Sequence, residues 1–239
     1  MKRKIVNLFN RLLSVFNISI YKAGFDMLGS LRIVKNSGIH FNSIIDIGAS
    51  DGKWSIYALN IFKNSKIIAI EPLIEREIAL KKISKNHSNF DFVLAAAGDG
   101  QVNEIELTVT DDLDGSTIFG DIGLKRMVCI KTIDQVVHEK NLKSPFFLKF
   151  DTHGFEIPIL DGAKNTLEKT EIIVMEAYNF RITEGTLLFH EMIEYIDKKG
   201  FRIFKIVDPM CRPADNVFWQ LDLFFLRKDN DIFKKEVYK

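Results

Sequence analysis

The chain has 239 residues, enough for one complete α/β domain with a sizeable core. Hydrophobic residues make up 46% and charged residues 27%, a globular composition that excludes a disordered chain. The formal net charge of +1 disfavours a nucleic-acid partner, because dedicated polynucleotide binders usually carry a basic excess. The two cysteines, Cys129 and Cys211, offer neither a metal-binding spacing nor a disulfide framework, so we expect a cytoplasmic location.

Residues 1–40 are predicted to form an N-terminal helical extension and residues 41–239 the main domain. Residues 1–4 are basic, and an apolar stripe at helical spacing follows, formed by Ile5, Leu8, Phe9, Leu12, Leu13 and Phe16. Polar residues interrupt this stripe, so the segment is not a transmembrane span. The pattern favours a helix packed on the domain or on a second subunit of a homo-oligomer. A peripheral helix at a membrane surface is the alternative.

Strands and helices alternate along the rest of the chain. The predicted strands cover 43–47, 66–70, 90–97, 104–110, 127–130, 146–150, 171–176, 201–207 and 221–227. The predicted helices cover 53–62, 75–85, 133–139, 157–168 and 187–199, and Ile74, Ile78 and Ile83 are the predicted core positions of the second. This alternation indicates a mostly parallel, doubly wound α/β sheet, in which ligands bind beyond the carboxyl ends of the strands.

Two strand ends carry the pattern of a site for a nucleoside-containing ligand. The first strand runs through Asp46 into a turn with Gly48 and Gly52, whose missing Cβ atoms let the backbone approach a ligand closely. Asp46 can orient this turn by accepting backbone N–H bonds. The second strand stops on Glu71, whose carboxylate can accept hydrogen bonds from two ribose hydroxyls. The glycine spacing matches neither a dinucleotide fingerprint nor a P-loop.

Five small or acidic residues fall at predicted carboxyl ends of strands, so one cleft can collect them: Gly48, Glu71, Ala97, Asp151 and Glu176. Asp151 and His153 project to the same side if their strand continues. An imidazole titrates near neutrality, which makes His153 a candidate base, and a structural or substrate-orienting histidine is the alternative.

The polar loop 111–121, with Ser116 and Thr117, is predicted to be either a lid that contacts an acceptor or an ordinary surface loop. Three residues after the strand that ends at Glu176 can contact acceptor hydroxyls or a phosphate, namely Tyr178, Asn179 and Arg181.

A divalent metal is possible but not favoured. Asp151, His153, Glu156 and Glu176 offer oxygen and nitrogen ligands in one region, and a divalent ion there would lower the pKa of an acceptor hydroxyl. Glu156 is, however, more simply explained as a first-turn carboxylate that faces the positive end of its helix.

Residues 46–52 and 70–72 resemble the first two motifs of class I S-adenosylmethionine-dependent methyltransferases. Residues 147–156, with their lysine, aspartate, glycine and glutamate, are similar to the signature of the FkbM family, and residues 128–134 and 221–225 also fit that family's pattern. The resemblance covers residues 42–227 and departs from the pattern at Thr152 and His153. It implies a Rossmann-like class I methyltransferase sheet, mostly parallel with an antiparallel closing strand. It also implies O-methylation of a sugar, a glycan or a small secondary metabolite.

The resemblance further implies S-adenosyl-L-methionine as cofactor and S-adenosyl-L-homocysteine as product. The methionine part of the cofactor would face Asp46, Gly48, Ala49, Ser50 and Gly52. Glu71 would hold the ribose, next to Pro72, and the adenine would lie along Ala96, Ala97 and Gly98. Asp151 would lie where the methyl group meets the acceptor.

Two other interpretations stay open. An NAD-type oxidoreductase shares the logic of Glu71, although the missing third glycine and the signature around Asp151 count against it. A catalytically inactive methyltransferase-like module that binds a partner is the other. A nucleic-acid base methyltransferase is disfavoured, because residues 151–154 do not match the Asn/Asp-Pro-Pro-aromatic motif of such enzymes.

Overall fold

The computed structural model describes residues 25–120 and 123–235, so the predicted N-terminal stripe and its proposed contacts lie outside the described residues. The α-helices are α1 Met27–Asn36, α2 Lys53–Ile61, α3 Glu77–Asn86, α4 Ile133–Glu139, α5 Glu156–Asp161, α6 Lys164–Leu167 and α7 Phe189–Lys198. The strands are β1 Ser43–Ile47, β2 Lys66–Glu71, β3 Phe90–Leu94, β4 Ala96–Ala97, β5 Glu104–Val109, β6 Leu124–Lys131, β7 Phe146–Phe150, β8 Thr170–Tyr178, β9 Phe201–Cys211 and β10 Phe218–Arg227.

Seven strands form the central sheet in the order β3-β2-β1-β7-β8-β10-β9. The five strands from β3 to β8 pair in parallel, and β10 runs antiparallel to both of its neighbours. The predicted mostly parallel sheet with an antiparallel closing strand is therefore confirmed. The chain order reverses between β1 and β7, which places a ligand cleft at the carboxyl ends of these two strands.

The core lies on both faces of this sheet, and every residue of β1 and β7 is buried. Helices α4, α5 and α7 pack on one face, and α1, α2 and α3 pack on the other. Strands covered on both faces read as continuous apolar runs, which explains why their bounds could be predicted so closely. None of the helices in residues 25–120 and 123–235 combines the length and apolar character that a membrane crossing requires.

Three sequence-based expectations about the elements were wrong in detail. The strand predicted over 90–97 breaks at Ala95, because β4 leaves the central sheet and pairs with β6 in a second sheet ordered β4-β6-β5. The helix predicted over 157–168 is divided into α5 and α6. Gly162 lies between them, and a Cβ there would come within 1.9 Å of the Gly98 carbonyl oxygen, so two backbone segments cross at this point.

Two of the three predicted core positions of α3, the second helix of the predicted main domain, were also wrong, whereas Ile83 was confirmed. Ile74 and Ile78 are 55% and 81% exposed, whereas Leu80 and Ile83 are buried. Ile78 and Ile83 both lie in α3, where a separation of five residues sets them about 140° apart, so the face that buries Leu80 and Ile83 leaves Ile78 exposed. Ile74 lies outside α3, in the 3-10 turn Ile74–Arg76 that precedes it.

Candidate active site

The turn after β1 approaches the end of β7 very closely. Gly48 has φ +75, and a Cβ at this position would lie 1.9 Å from the carbonyl oxygen of Asp151. Gly52 has φ +81, and its Cβ would lie 2.4 Å from the side chain of Ile83. Both positions therefore require glycine, for the backbone conformation and for the space. The turn is held against β2 by the N–H of Gly48, which donates to the Ile70 carbonyl at 3.0 Å.

Glu71 ends β2 and faces this turn. Its carboxylate accepts hydrogen bonds from the backbone N–H of Ser50 at 2.7 Å and of Leu73 at 2.9 Å, one on each oxygen. Only 4% of Glu71 is exposed. Burial raises the pKa of its carboxyl group, although the two amide donors act in the opposite direction. Each carboxylate oxygen keeps a second lone pair, so Glu71 can still accept bonds from ligand hydroxyls.

Asp46 does not contact the turn in the predicted way. Its side chain is fully buried and accepts a hydrogen bond from the Ser55 hydroxyl at 2.7 Å. Its other oxygen lies 3.3 Å from the ammonium of Lys149. Among the hydrogen bonds of the described residues, Asp46 accepts none from a backbone N–H. Asp46 is the residue before the last one of β1, so its buried contacts stabilise the ends of the strands and not the turn itself.

A cavity of about 260 Å³ opens above these strand ends. It brings together ten of the sequence-predicted site residues, namely Gly48, Ser50, Glu71, Pro72, Ala96, Ala97, Ser116, Thr117, Asp151 and His153. The other predicted site residues do not line it: Asp46, Ala49, Gly52, Gly98, Glu176, Tyr178, Asn179 and Arg181. Sequence reasoning missed several apolar lining residues, among them Leu107, Leu113, Ile118 and Phe155.

The loop between β5 and β6 crosses this cavity. Asp114 accepts hydrogen bonds from the Ser50 hydroxyl at 2.8 Å and from the Arg76 guanidinium at 2.5 Å. Further along the loop, the Thr117 hydroxyl donates to the carbonyl oxygen of His153 at 3.3 Å. The loop is thus tied to both sides of the cleft. Asp114 was also missed from the sequence, since nothing local marks it as a partner of Ser50.

Lys149 is the residue before the last one of β7, and its side chain lies between two carboxylates. Its buried ammonium is 3.3 Å from Asp46 and donates a hydrogen bond to Asp151 at 2.9 Å. Burial disfavours the charged forms of Lys149, Asp46 and Asp151. The charge of Lys149 nevertheless holds the pKa of Asp151 below its usual range, and the nearby imidazole of His153 and the hydrogen bond from Lys149 add to the effect. Asp151 and Asp46 in turn raise the pKa of Lys149 against its burial. Asp151 is therefore a carboxylate at neutral pH.

His153 lies between Asp151 and Glu176. Its Nε2 atom is 3.6 Å from an oxygen of Asp151 and 3.8 Å from an oxygen of Glu176. The backbone reaches this arrangement through a turn with φ +49 at His153 and φ +99 at Gly154, and β7 has already ended at Phe150. The Asp151 carboxylate stabilises the protonated imidazole and raises the pKa of His153, although burial acts in the opposite direction.

Glu176 on β8 accepts two side-chain hydrogen bonds, one from a residue of β8 and one from a residue of β10. The Tyr178 hydroxyl donates to one oxygen, and the Gln220 amide donates to the other. Asp222 pairs with Glu176 across the two strands. Burial, together with the charge of Glu176, raises the pKa of Asp222 to about 7.

Two of the predicted acceptor contacts point elsewhere. The Arg181 guanidinium pairs with Glu191 at 2.7 Å and donates to the carbonyl of Thr186, so it is directed at α7. The Asn179 amide donates to the Phe218 carbonyl at 3.2 Å, and its backbone N–H donates to Trp219. Both side chains brace the carboxyl end of β8, and neither lines the cavity.

The cavity at the carboxyl ends of β1, β2 and β7 can be compared with known proteins. The family model described as the methyltransferase FkbM domain matches residues 46–203, which is more than half of the chain. The chain belongs to the FkbM methyltransferase family. The matched model is described as a methyltransferase domain and spans the ends of β1, β2 and β7 that form the cavity. No curated protein matches its sequence significantly.

One solved structure with a TM-score above 0.5 shares this fold. Methyltransferase FkbM from Methylobacillus flagellatus KT is 18% identical with a TM-score of 0.52, over 79% of this chain and 45% of that one. The present chain thus spans less than half the length of that relative. An rRNA methylase from Streptococcus thermophilus is 10% identical with a TM-score of 0.49, over 88% of this chain and 99% of that one. TrmK from M. capricolum, in complex with S-adenosyl-homocysteine, is 14% identical with a TM-score of 0.47, over 84% and 68% of the two chains.

The FkbM signature of this chain is a turn held by its own side chains. Glu156 is buried at the start of α5 and accepts hydrogen bonds from the Gly154 N–H at 2.9 Å and the Thr152 hydroxyl at 3.2 Å. A Cβ at Gly154 would lie 3.0 Å from Thr186, and its φ of +99 favours glycine. The spacing of the signature therefore fixes the turn that presents His153 to the two carboxylates.

Proposed function

We propose that this FkbM-family protein is an S-adenosylmethionine-dependent O-methyltransferase that acts on a hydroxyl of a sugar, a glycan or a small secondary metabolite. One observation carries the proposal. The buried carboxylate of Glu71 and the glycine turn share a single cavity with Asp151 and His153. A nucleoside site and a set of proton-accepting groups therefore open into the same space, as transfer between two bound molecules requires.

The residues present fit the cofactor. Glu71 offers lone pairs to the ribose hydroxyls, and Gly48 leaves space where any other side chain would meet the Asp151 carbonyl. The apolar wall made by Leu73, Ala96 and Ala97 suits the adenine ring. Leu107 and Ile118 extend this wall from the second sheet and the loop after it.

The acceptor hydroxyl is proposed to lie against Asp151, His153 and Glu176. When bound, S-adenosylmethionine supplies a methyl group that passes to the acceptor oxygen, while the C–S bond breaks, its electron pair stays on sulfur and the hydroxyl proton leaves. Two carboxylates and an imidazole around the acceptor favour loss of that proton. The Thr117 contact to the His153 backbone holds the loop over the cleft and reduces the access of water.

The rest of the proposal concerns partners and location. Carbohydrate and other small polyol acceptors suit a cleft lined by carboxylates, hydroxyls and an imidazole, because carboxylates accept hydrogen bonds from acceptor hydroxyls, and the hydroxyls and imidazole of the cleft can also donate them. Both cysteines are free, as the reducing cytoplasm would keep them, and we propose that location. A homo-oligomer or a peripheral membrane contact through residues 1–24 is part of the proposal as well.

The test is calorimetric titration of the purified protein with S-adenosylhomocysteine, with NADH titrated in parallel. We expect saturable binding of S-adenosylhomocysteine alone, followed by methyl transfer from labelled S-adenosylmethionine in a screen of sugars, glycans and phenolic metabolites. Binding of NADH alone would favour the oxidoreductase interpretation. Binding of neither ligand would favour an inactive module that recognises a partner.

A further inference from the structure

Two carboxylates and one imidazole converge between the end of β7 and β8, beside the cavity that Asp151 and His153 line. Asp151, His153 and Glu176 form what we call the carboxylate–imidazole cluster. Each side chain offers one donor atom that lies within 4.8 Å of the other two donor atoms. All three side chains are partly exposed, so the cluster is open to solvent and to the cavity.

This spacing would let one metal ion contact all three donor atoms. Three atoms separated by 4.8 Å or less can all lie within roughly 2.8 Å of one point, and divalent ions bind oxygen ligands at about 2.0–2.6 Å. Movements of about half an ångström in flexible side chains close the difference. Two carboxylates and one imidazole are ligands that suit Mg²⁺ or Mn²⁺, and three positions of an octahedron remain for water and an acceptor.

The surroundings orient each donor as in metal centres, where ligands are held by hydrogen bonds on their outer side. Lys149 occupies the oxygen of Asp151 that faces away from His153. Gln220 and Tyr178 donate to the two oxygens of Glu176. The left-handed backbone at His153 and the Thr117 bond to its carbonyl fix the position of the imidazole.

The charge around the cluster is unbalanced. Four carboxylates act on one another at this end of the sheet, namely Asp46, Asp151, Glu176 and Asp222. Within residues 25–120 and 123–235, Lys149 is the one lysine or arginine that forms an ion pair with any of them. Carboxylates gathered in a partly buried site require compensating positive charge. A divalent ion between Asp151 and Glu176 would add positive charge beside both carboxylates.

We propose that Asp151, His153 and Glu176 bind one divalent cation of the Mg²⁺ or Mn²⁺ class. In the proposed function, on which this part rests, the acceptor oxygen takes one open position on the ion. The ion lowers the pKa of the hydroxyl, whose proton passes to solvent water at the open mouth of the cluster. His153 then acts as a ligand, and this replaces the sequence-based hypothesis that its imidazole is the base.

The experiment is a titration of chelator-treated, full-length protein with MnCl₂, followed by calorimetry and by loss of the free Mn²⁺ signal in electron paramagnetic resonance. We expect one Mn²⁺ per chain, and at least tenfold weaker binding in His153→Ala and in Glu176→Gln. His190→Ala is the matched control, because His190 is exposed on α7 away from the cluster, and it should bind Mn²⁺ like the wild type.

S-adenosylhomocysteine affinity and the melting temperature report whether each variant is folded. No saturable Mn²⁺ binding below about 1 mM, the weak end of known protein sites, would overturn the proposal. Unchanged Mn²⁺ binding in a folded His153→Ala variant would also overturn it. If Mn²⁺ fails to bind while S-adenosylhomocysteine binds, the metal site alone is wrong. If Mn²⁺ binds and S-adenosylhomocysteine does not, the proposed function alone is wrong.

Discussion

The turn after β1, which contains Gly48 and Gly52, lies close to the end of β7, and replacing Gly48 by alanine tests this contact. The structure offers a matched control in Gly38, which has φ +77 against +75 at Gly48 but has no atom within 4 Å of the place that a Cβ would take. Gly38→Ala therefore measures the left-handed strain alone. Gly48→Ala adds a collision with the Asp151 carbonyl, which is backbone and cannot rotate away.

The two contributions have separate magnitudes. A non-glycine residue in the left-handed region costs roughly 1–2 kcal/mol, so Gly38→Ala should lower the free energy of unfolding by about that amount. Forced displacement of packed groups adds about 1–3 kcal/mol, which gives roughly 2–5 kcal/mol for Gly48→Ala. For a chain of this size, each kcal/mol lowers the melting temperature by about 2–4 °C.

Thermal unfolding and S-adenosylhomocysteine calorimetry of both variants provide the assay. Gly38→Ala should keep the affinity of the wild type, whereas Gly48→Ala should lose at least tenfold, because its turn is displaced from Glu71. Equal destabilisation of the two variants would refute the collision. Undiminished affinity in Gly48→Ala would show that the turn does not approach the cofactor.

Three other predictions concern single carboxylates. Glu71→Ala should weaken S-adenosylhomocysteine binding more than tenfold in calorimetry, because it removes the proposed ribose contact and the acceptor of two backbone N–H bonds. Asp114→Asn should speed S-adenosylhomocysteine dissociation by about threefold or more in stopped-flow, because the Arg76 guanidinium would then donate to a neutral amide and no longer to a charged carboxylate. Asp222→Asn should raise the melting temperature measured in EDTA at pH 8 more than at pH 5.

The sign of the last prediction follows from the raised pKa of about 7 at Asp222. Its folded-state pKa lies above the unfolded value, so its stabilising contribution is complete below about pH 4 and is lost as the pH rises through about 7. The loss is smaller than about 4 kcal/mol, the ceiling set by the size of the shift, because part of the side chain meets solvent. A melting-temperature difference independent of pH would contradict this account.

The other two predictions have exposed carboxylates as controls. Glu168→Ala should keep the S-adenosylhomocysteine affinity that Glu71→Ala loses, and Asp111→Asn should keep the dissociation rate that Asp114→Asn raises. Equal affinity in Glu71→Ala and Glu168→Ala would remove Glu71 from the ribose site. Equal dissociation rates in the two loop variants would show that Asp114 does not hold the loop closed.

The sequence predicts the central strands well, because β1 and β7 are buried on both faces and therefore appear as uninterrupted apolar runs. It fails where a backbone crossing or a change of helix type decides the outcome. The break at Ala95 depends on β6, some thirty residues later in the chain. The exposed Ile74 lies in a 3-10 turn that periodicity alone does not reveal.

For the site, the sequence identifies residues but not their partners. Gly48, Glu71, Asp151 and His153 could be identified because each stands at or beside a strand end. The support of Glu176 by Gln220 depends on the antiparallel register of β10 on β8, which no local pattern specifies. The direction of the Arg181 side chain also cannot be predicted from the strand ends. Its guanidinium points away from the cleft because it pairs with Glu191 on α7.

The contact between Gly48 and the carbonyl of Asp151 makes the two halves of the site mechanically dependent on each other. A turn packed this tightly against backbone cannot shift without moving the residue that it touches. Whatever a bound nucleoside does to the affinity of Asp151 for its own ligand, that ligand must do in return to the nucleoside, by the same factor. The total free energy of binding both ligands is therefore the same whichever ligand binds first. Each ligand is expected to bind with a different affinity when the other is already present.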